Sequence, residues 1–215
     1  MKKLLTLFLL LFSMQVSSET VSKKLIASFS TENLAGWERL EFKSITDYRL
    51  VSDGAVSVLQ SKSNASASGL IHKQTVDITK YPFLNWRWRA NKKLPPLNEQ
   101  TKEGDDYVAR VYIVVSDGWF FWEIKALNYV WSSQATQGAT WPNAYAPDNT
   151  KMIALRTSND KEGVWYSEKR NVLKDLQHWL EKDVNEVEAI AVMTDSDDST
   201  LSASAMYGDI YFSSQ

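Results

Sequence analysis

The chain has 215 residues, of which 44% are hydrophobic and 12% aromatic, and none is cysteine. Its 24 basic and 26 acidic residues give a formal net charge of −2. With this balance and no basic run, nucleic-acid binding is set aside and adsorption to anionic membranes is disfavoured. A chain of this length can bury enough apolar surface to fold without disulfide bonds.

The first 18 residues have the pattern of a secretory signal peptide. Lys2 and Lys3 precede an apolar run at residues 4–12, and residues 16–18 form a small-residue cleavage site. The apolar run is too short for a membrane span, although an uncleaved anchor stays an alternative. We therefore expect an exported protein, periplasmic or otherwise extracytoplasmic, with one domain over residues 19–215 and no transmembrane span.

The remaining sequence favours short β-strands, because apolar and polar residues alternate and turn residues break the runs. The predicted strands cover residues 24–29, 48–52, 55–60, 69–78, 83–90, 107–115, 120–129, 151–157, 164–170, 189–194 and 206–212. Asp53-Gly54 and Asp117-Gly118 predict hairpin turns between neighbouring strands.

One amphipathic helix interrupts the strands. Asn171 is a candidate N-cap, and apolar residues follow at 172, 173, 176, 179 and 180, which is helical spacing. We predict an all-β fold in which two antiparallel sheets pack as a β-sandwich of the jelly-roll type, with this one short helix.

The segment at residues 83–90 carries tryptophan and arginine at alternate positions. Since strand side chains alternate between faces, Trp86 and Trp88 should point into the core and Arg87 and Arg89 to an outer face. The same alternation puts Asp106 and Arg110 of the following predicted strand on one face. The pairing order of the strands cannot be predicted from one sequence.

Three hypotheses compete for the arginine face. It is a cross-strand ladder of arginines with acidic residues, or a groove in which guanidinium groups bind an anionic ligand. In the third, it is the site of a polysaccharide lyase or glycoside hydrolase, with Asp106 and Glu168 as a candidate carboxylate pair.

A long segment at residues 128–148 is rich in aromatic and amide residues. Trp131, Trp141 and Tyr145 could stack on sugar rings there, while Asn128 and neighbouring amides bind hydroxyl groups. The alternative is a lid, in which a loop tryptophan packs onto the end of the core.

Acidic residues at 195–198 are the candidate metal ligands. Carboxylates in a loop after a strand suit calcium, although the EF-hand pattern fails, and a solvated turn is the alternative. Two distant histidines and no cysteine disfavour zinc. Nucleophile-elbow, phosphate-loop and dinucleotide motifs are absent from the sequence, so no other cofactor is expected.

Seven runs of the sequence carry a family resemblance: FSTENLAGWERLEF (29–42), SASGL (66–70), FLNWRWRA (83–90), TKEGDDYVARVYIV (101–114), KALNYVWSS (125–133), MIALR (152–156) and AVMTDSDD with YGDIYF (191–212). They resemble an exported bacterial family known as domain of unknown function 3047. The resemblance implies no site residues. The layout is also similar to carbohydrate-binding jelly-roll modules, whose structural calcium would here be held by Glu32 and Asp209.

The sequence therefore predicts an exported, non-catalytic protein that binds a glycan or an envelope component, which could be acidic. A carbohydrate-active enzyme and an envelope scaffold are the alternatives. The predicted ligand site has a polar floor and an amide and aromatic rim, formed by Arg87, Arg89, Asp106, Arg110, Asn128, Trp131 and Trp141. The candidate ligands of a structural calcium are Asp195, Asp197, Asp198 and Asp209.

Overall fold

The computed structural model describes residues 21–116, 124–181 and 183–215. Within them the chain forms fourteen strands in two seven-stranded sheets, which confirms the predicted β-sandwich of the jelly-roll type. Sheet 1 contains β1 (Lys23–Ala27), β3 (Asp47–Asp53), β4 (Val56–Asn64), β6 (Phe83–Lys92), β11 (Tyr166–Asn171), β13 (Ser202–Tyr207) and β14 (Ile210–Ser213). Sheet 2 contains β2 (Trp37–Lys43), β5 (Ala67–Asp77), β7 (Arg110–Ser116), β8 (Ile124–Trp131), β9 (Thr140–Pro142), β10 (Thr150–Arg156) and β12 (Glu186–Asp195).

The strand order includes one parallel pair among antiparallel neighbours. Sheet 1 runs β1-β14-β6-β13-β4-β3, with β11 also paired to β6, and sheet 2 runs β2-β5-β12-β7-β8-β10-β9. The strand pairs are antiparallel except β8 with β10, which are parallel with Thr150 opposite Ala126. Parallel neighbours need a crossover connection, and the segment that contains β9 supplies it.

The core lies between β6 and β8, where aromatic rings from the two sheets meet. Trp86 stacks on Tyr129 with ring centroids 5.5 Å apart, and the Trp88 ring lies 6.0 Å from that of Trp131. Trp86 and Trp88 are buried, so the predicted inward direction of these two residues is confirmed.

The predicted helix is present as α1 (Val172–Leu180). Asn171 caps it as expected, because its Oδ1 accepts a hydrogen bond of 3.0 Å from the Lys174 backbone amide. Asp175 then ties the helix to the sandwich, since its carboxylate accepts from the Tyr129 hydroxyl at 2.6 Å and from Arg170 at 2.7 Å. Within the described residues, no helix has the length and apolarity needed to cross a membrane.

Several predicted boundaries differ from the structure. The hairpin at Asp53-Gly54 is confirmed, with Gly54 at a φ of 66°. The sequence prediction missed β2 and β9, and the strand predicted from residue 107 begins only at Arg110. The predicted signal peptide and the Asp117-Gly118 turn lie outside the described residues.

The strand predicted at residues 206–212 is interrupted at Gly208 and Asp209. Before this point β13 pairs with β4, and after it β14 pairs with β1, while both stay paired with β6. The Arg87 side chain lies against Gly208, where a Cβ atom would come within 2.6 Å of Arg87 Cγ. A side chain at position 208 would displace that of Arg87, so the glycine lets the Arg87 side chain lie against the backbone here.

Candidate functional site

A groove of about 530 Å³ lies on the outer face of sheet 2. Along β7, Val111, Ile113 and Val115 are fully buried and face the core, so Arg110 and Tyr112 point to the opposite, outer face. We call this site the aromatic groove. Its main lining residues are Phe42, Lys43, Arg110, Tyr112, Tyr145 and Asp195.

The floor of the aromatic groove is a buried ion pair. Arg110 Nε donates to Asp195 Oδ1 at 2.9 Å, Nη2 donates to the other carboxylate oxygen, and each side chain is only 3% exposed. Arg110 also donates to the Tyr112 hydroxyl at 3.0 Å. Burial alone disfavours the charged guanidinium, but the carboxylate of Asp195 holds the pKa of Arg110 above its usual value. Most N–H groups of Arg110 therefore already donate to the protein, and few are left to bind a ligand.

The walls of the aromatic groove carry two exposed aromatic side chains. Phe42 lies on β2, at one edge of sheet 2, and is 68% exposed. Tyr145 follows β9, at the other edge, and is 54% exposed. The Tyr145 hydroxyl donates to Asp198 Oδ1 at 2.6 Å, and its backbone amide donates to Asn143 Oδ1 at 3.0 Å. The contact to Asn143 fixes the backbone at Tyr145, and the ring stays more than half exposed at the wall of the groove.

Carboxylates outnumber cations around the aromatic groove. Asp195, Asp197 and Asp198 line it, whereas the lining cations are Arg110 and Lys43. Lys43 Nζ lies 3.7 Å from Asp197 Oδ2. Burial, together with the charges of Asp198 and Asp106, raises the pKa of Asp197. The lining therefore carries one more carboxylate than cations, while the Lys102 ammonium group lies 5.1 Å from the centroid of the Tyr145 ring.

Three of these acidic residues could hold a metal ion. Asp106, Asp195 and Asp197 are buried, and one carboxylate oxygen from each lies within 4.8 Å of the others. Such hard oxygen ligands suit calcium. The protein already engages them, because Asp106 accepts from the backbone amides of Asp198 at 3.2 Å and Ser199 at 2.7 Å.

Asp195 and Asp197, two of the four predicted calcium ligands, belong to this trio. Its third member is Asp106, which was predicted as part of the ligand floor and not as a metal ligand. Asp198 turns towards Tyr145 instead. Asp209 lies elsewhere, because its carboxylate accepts from the backbone amide of Ser30 at 2.8 Å and from its hydroxyl at 2.5 Å. Asp209 therefore lies apart from the trio, directly before β14 of sheet 1, and metal binding by Asp209 together with Glu32 stays a prediction.

The structure does not bring the predicted floor residues together. Arg87 and Arg89 lie on sheet 1, whereas Arg110 lies on sheet 2. Arg89 forms an ion pair with Asp53 at 3.1 Å, and both sheet 1 guanidinium groups stack on Trp165, at 4.5 and 5.1 Å from the ring centroid. Arg89 therefore fits the hypothesis of ion pairs between arginines and acidic residues across strands, whereas ligand binding by Arg87 stays a prediction.

The predicted rim residues are buried. Trp131 ends β8 inside the core, and its Nε1 donates to the Thr157 carbonyl at 3.0 Å. Trp141 stacks on Tyr107 with centroids 6.5 Å apart, as the lid alternative described. Asn128 is fully buried on β8. Tyr145 is the aromatic residue of this segment that stays exposed.

The proposed carboxylate pair of Asp106 and Glu168 does not share partners. Glu168 Oε1 accepts from Trp88 Nε1 at 2.9 Å and from Arg156 Nε at 2.6 Å, whereas Asp106 accepts from the backbone amide of Ser199.

The sequence prediction missed Phe42, because its strand, WERLEFK, is rich in charged residues and was not predicted. Its only sequence signal is an aromatic residue flanked by Glu41 and Lys43.

A family model described as "Protein of unknown function (DUF3047)" matches residues 35–211. The chain therefore belongs to this family, as the sequence runs indicated. A search of the curated proteins gives no match.

Several solved structures are similar to this chain at low sequence identity. The cellulose induced protein Cip1 has a TM-score of 0.49 and 10% identity, covering 92% of this chain and 98% of that one. The K3 adhesin domain of Lys-gingipain from Porphyromonas gingivalis W83 has a TM-score of 0.45 and 8% identity, covering 88% and 99%. The endoglucanase 3 of Trichoderma harzianum, from family GH12, has a TM-score of 0.42 and 7% identity, covering 93% and 99%. Likenesses at this level carry no conclusion about function, which has to be argued from the site.

Proposed function

We propose that this DUF3047 protein binds a neutral glycan in the aromatic groove without cleaving it. One observation carries the proposal: Phe42 and Tyr145, both more than half exposed, line the same groove from opposite edges of sheet 2. Ligand sites combine apolar and aromatic surface with a few placed polar groups. Two flat rings above a polar floor suit a sugar chain, which has apolar ring faces and hydroxyl groups at its rim.

The charge of the groove favours a neutral glycan over an acidic one. Asp197 and Asp198 would lie beside any ligand that spans the two rings, and like charges brought together without compensation cost several kcal/mol. Hydroxyl groups, in contrast, can donate to carboxylate oxygens. The ligand that we propose for this groove is therefore neutral, in contrast to the acidic ligand that the sequence left open.

The carboxylates of the groove support binding without hydrolysis. Glycosidases use two carboxyl groups that are free to exchange a proton or attack the sugar. Here Asp195 accepts through both oxygens from Arg110, Asp198 accepts from Tyr145, and Asp197 faces Lys43. Each carboxylate thus has a structural partner.

Export is the second part of the proposal and rests on the signal-like pattern of residues 1–18. N-terminal sequencing of the protein isolated from the extracytoplasmic fraction tests it. A chain that begins at Glu19 is expected, and an intact N-terminus in the cytoplasmic fraction would overturn this part.

Thermal unfolding and calorimetry with a panel of neutral and acidic oligosaccharides test the binding proposal. A ligand that binds the native state alone stabilises it by about 2.7 kcal/mol at a hundredfold excess over its Kd. We expect one neutral oligosaccharide to do so, and Phe42→Ala to weaken it by more than about tenfold. Leu25→Ala is the matched control, because Leu25 is 51% exposed but lies on sheet 1.

Two further conditions make the panel decisive. Running it with calcium and with a chelator separates ligand binding from any cation held by the Asp106, Asp195 and Asp197 trio. An assay for new reducing ends tests for cleavage. Binding that Phe42→Ala leaves unchanged would overturn the groove assignment, and release of reducing ends would overturn the non-catalytic part.

A further inference from the structure

The strand β2 forms an open edge of sheet 2. Its residues, WERLEFK, pair with β5 on one side, and among the described strands none pairs with the other side. Every residue of β2 after Trp37 is exposed. The free backbone N–H and C=O groups of such an edge can pair with a strand of another chain.

Exposed apolar side chains accompany this edge. Leu40 is 38% exposed, Phe42 is 68% exposed, and Ile45, which follows the strand, is 53% exposed. Exposed apolar residues that lie together are typical of a surface that binds a partner or a ligand. Phe42 lines the aromatic groove, whereas Leu40 and Ile45 do not, so the groove does not account for their exposure.

The order of charges along β2 is self-complementary. When two copies of the strand pair antiparallel about Leu40, Arg39 of each copy lies opposite Glu41 of the other. Opposite charges that face each other across an antiparallel pair are favourable, and like charges are unfavourable. A pairing about Arg39 or about Glu41 would put two identical charges opposite each other. The charges therefore favour Leu40 as the centre.

A β-bulge in β2 sets the length of this pairing. The register with β5 shifts between Glu41 and Lys43, so Phe42 is an additional residue, and the regular alternation ends there. A pairing about Leu40 extends from Glu38 to Phe42, which is a usual length for a β-strand. The pairing therefore ends where the bulge begins and does not require the bulge to change.

Two other edge strands lack this match. β9 has three residues and contains Pro142, which has no N–H to donate. β3 paired with itself about its central Leu50 would put Asp47 opposite Asp53, and these are like charges. β2 is therefore better suited to self-pairing than either of these edges.

We propose that two copies of this chain dimerise through β2, antiparallel about a two-fold axis at Leu40 that is perpendicular to the sheet. Arg39 and Glu41 form two ion pairs between the copies, and the two Leu40 side chains meet at the axis. Because the axis is perpendicular to the sheet, the outer faces of both copies lie on the same side. The dimer presents two aromatic grooves on one surface, and its formation does not depend on glycan binding.

Sedimentation velocity of the protein over a series of concentrations tests the dimer. We expect the sedimentation coefficient to rise from that of a monomer to that of a dimer, and Arg39→Glu or Glu41→Arg to weaken association more than about tenfold. Both side chains are exposed, at 41% and 57%, so both variants should fold. Arg49→Glu is the matched control, because Arg49 also lies on an edge strand beside an exposed carboxylate, that of Asp47, and association should stay within about threefold.

Mixing the two variants tests the pairing itself. The chain with Arg39→Glu has two acidic residues at these positions and the chain with Glu41→Arg has two basic ones, so the mixture should associate about as tightly as the wild type, although neither variant does so alone. A protein that stays monomeric up to about 1 mM, or a dimer that both variants leave intact, overturns the proposal. Variants that fail to associate when mixed overturn the pairing about Leu40.

The dimer and the aromatic groove can fail separately. Neither Arg39 nor Glu41 lines the groove, so both variants should bind a short neutral oligosaccharide with the affinity of the wild type. Loss of the dimer with unchanged glycan affinity supports both proposals. A dimer that forms as described but binds no neutral oligosaccharide supports this inference and counts against the groove alone.

Discussion

The guanidinium of Arg110 and the carboxylate of Asp195 meet in a two-point ion pair across β7 and β12, with Nε and Oδ1 2.9 Å apart. Both side chains are 3% exposed, and Met193, two residues before Asp195 and on the same face of β12, lies opposite Arg110 in the sheet register. The pair joins the two central strands of sheet 2 on their outer face and supports the floor of the aromatic groove.

Breaking this pair should be costly. Arg110→Met leaves the Asp195 carboxylate buried without its partner, and removal of one member of a buried pair costs about 3–5 kcal/mol. Urea unfolding measures the loss. Arg49→Met is the control, because the Arg49–Asp47 pair is exposed and should change the free energy of unfolding by at most about 1 kcal/mol. Equal effects of the two substitutions would contradict a buried pair.

Glu99 should make the stability depend on pH. Burial raises the pKa of its carboxyl, and hydrogen bonds from Ser132 and Ser133 oppose that shift. A carboxyl with a raised native pKa binds its proton more tightly when folded, so its contribution to stability falls as pH rises from the unfolded value of about 4.3 to the native value. Above that interval the loss is complete.

Glu99→Gln removes this titration. The substitution also changes hydrogen bonds, but that effect does not depend on pH. The free energy of unfolding of the wild type minus that of Glu99→Gln should therefore decrease as pH rises from the unfolded to the native pKa of Glu99. Urea unfolding at a series of pH values above about 4 measures it. A difference that stays constant or increases with pH would show that the Glu99 pKa is not raised.

The cap of α1 should contribute measurable stability. Asn171→Ala removes the acceptor for the Lys174 amide and should lower the free energy of unfolding by about 1 kcal/mol. Asn171→Asp keeps an acceptor and should lose much less. If both variants lose the same amount, the side-chain oxygen is not what stabilises the first turn.

The ring of Tyr145, not its hydroxyl, should matter for glycan binding. Tyr145→Phe keeps the exposed ring and loses the contact to Asp198, so we expect affinity within about threefold of the wild type. Tyr145→Ala should lose more than about tenfold. Calorimetry with the oligosaccharide that binds the wild type measures both. A larger loss for Tyr145→Phe than for Tyr145→Ala would assign the contact to the hydroxyl.

Local patterns in the sequence were sufficient to predict the sandwich, its helix and the direction of the core tryptophans. Alternation places Trp86 and Trp88 correctly because a strand has only two faces. The same rule says nothing about which sheet a strand joins. Arg87 and Arg110 both point outwards, as predicted, but from opposite sheets, so the predicted floor could not form.

Long-range contacts decide the remainder of the candidate site. Trp131 and Trp141 read alike in the sequence as loop aromatics, yet one is in the main core and the other packs on Tyr107. The pairing of Asp106 with Asp195 and Asp197 likewise joins segments that are far apart in the chain. Phe42 is a candidate ligand contact because β2 lies at the edge of sheet 2, and this position depends on strand pairing that the local sequence does not determine.

The most direct test of the central claim is an NMR titration of methyl-labelled methionines with a neutral oligosaccharide. Met193 lines the aromatic groove, whereas Met206 lies on sheet 1, with its sulfur 2.7 Å from Arg89 Nη2. Binding in the groove should shift the Met193 methyl resonance and leave that of Met206 in place. A shift of Met206 alone, or no shift of Met193 with any neutral oligosaccharide, would contradict the account.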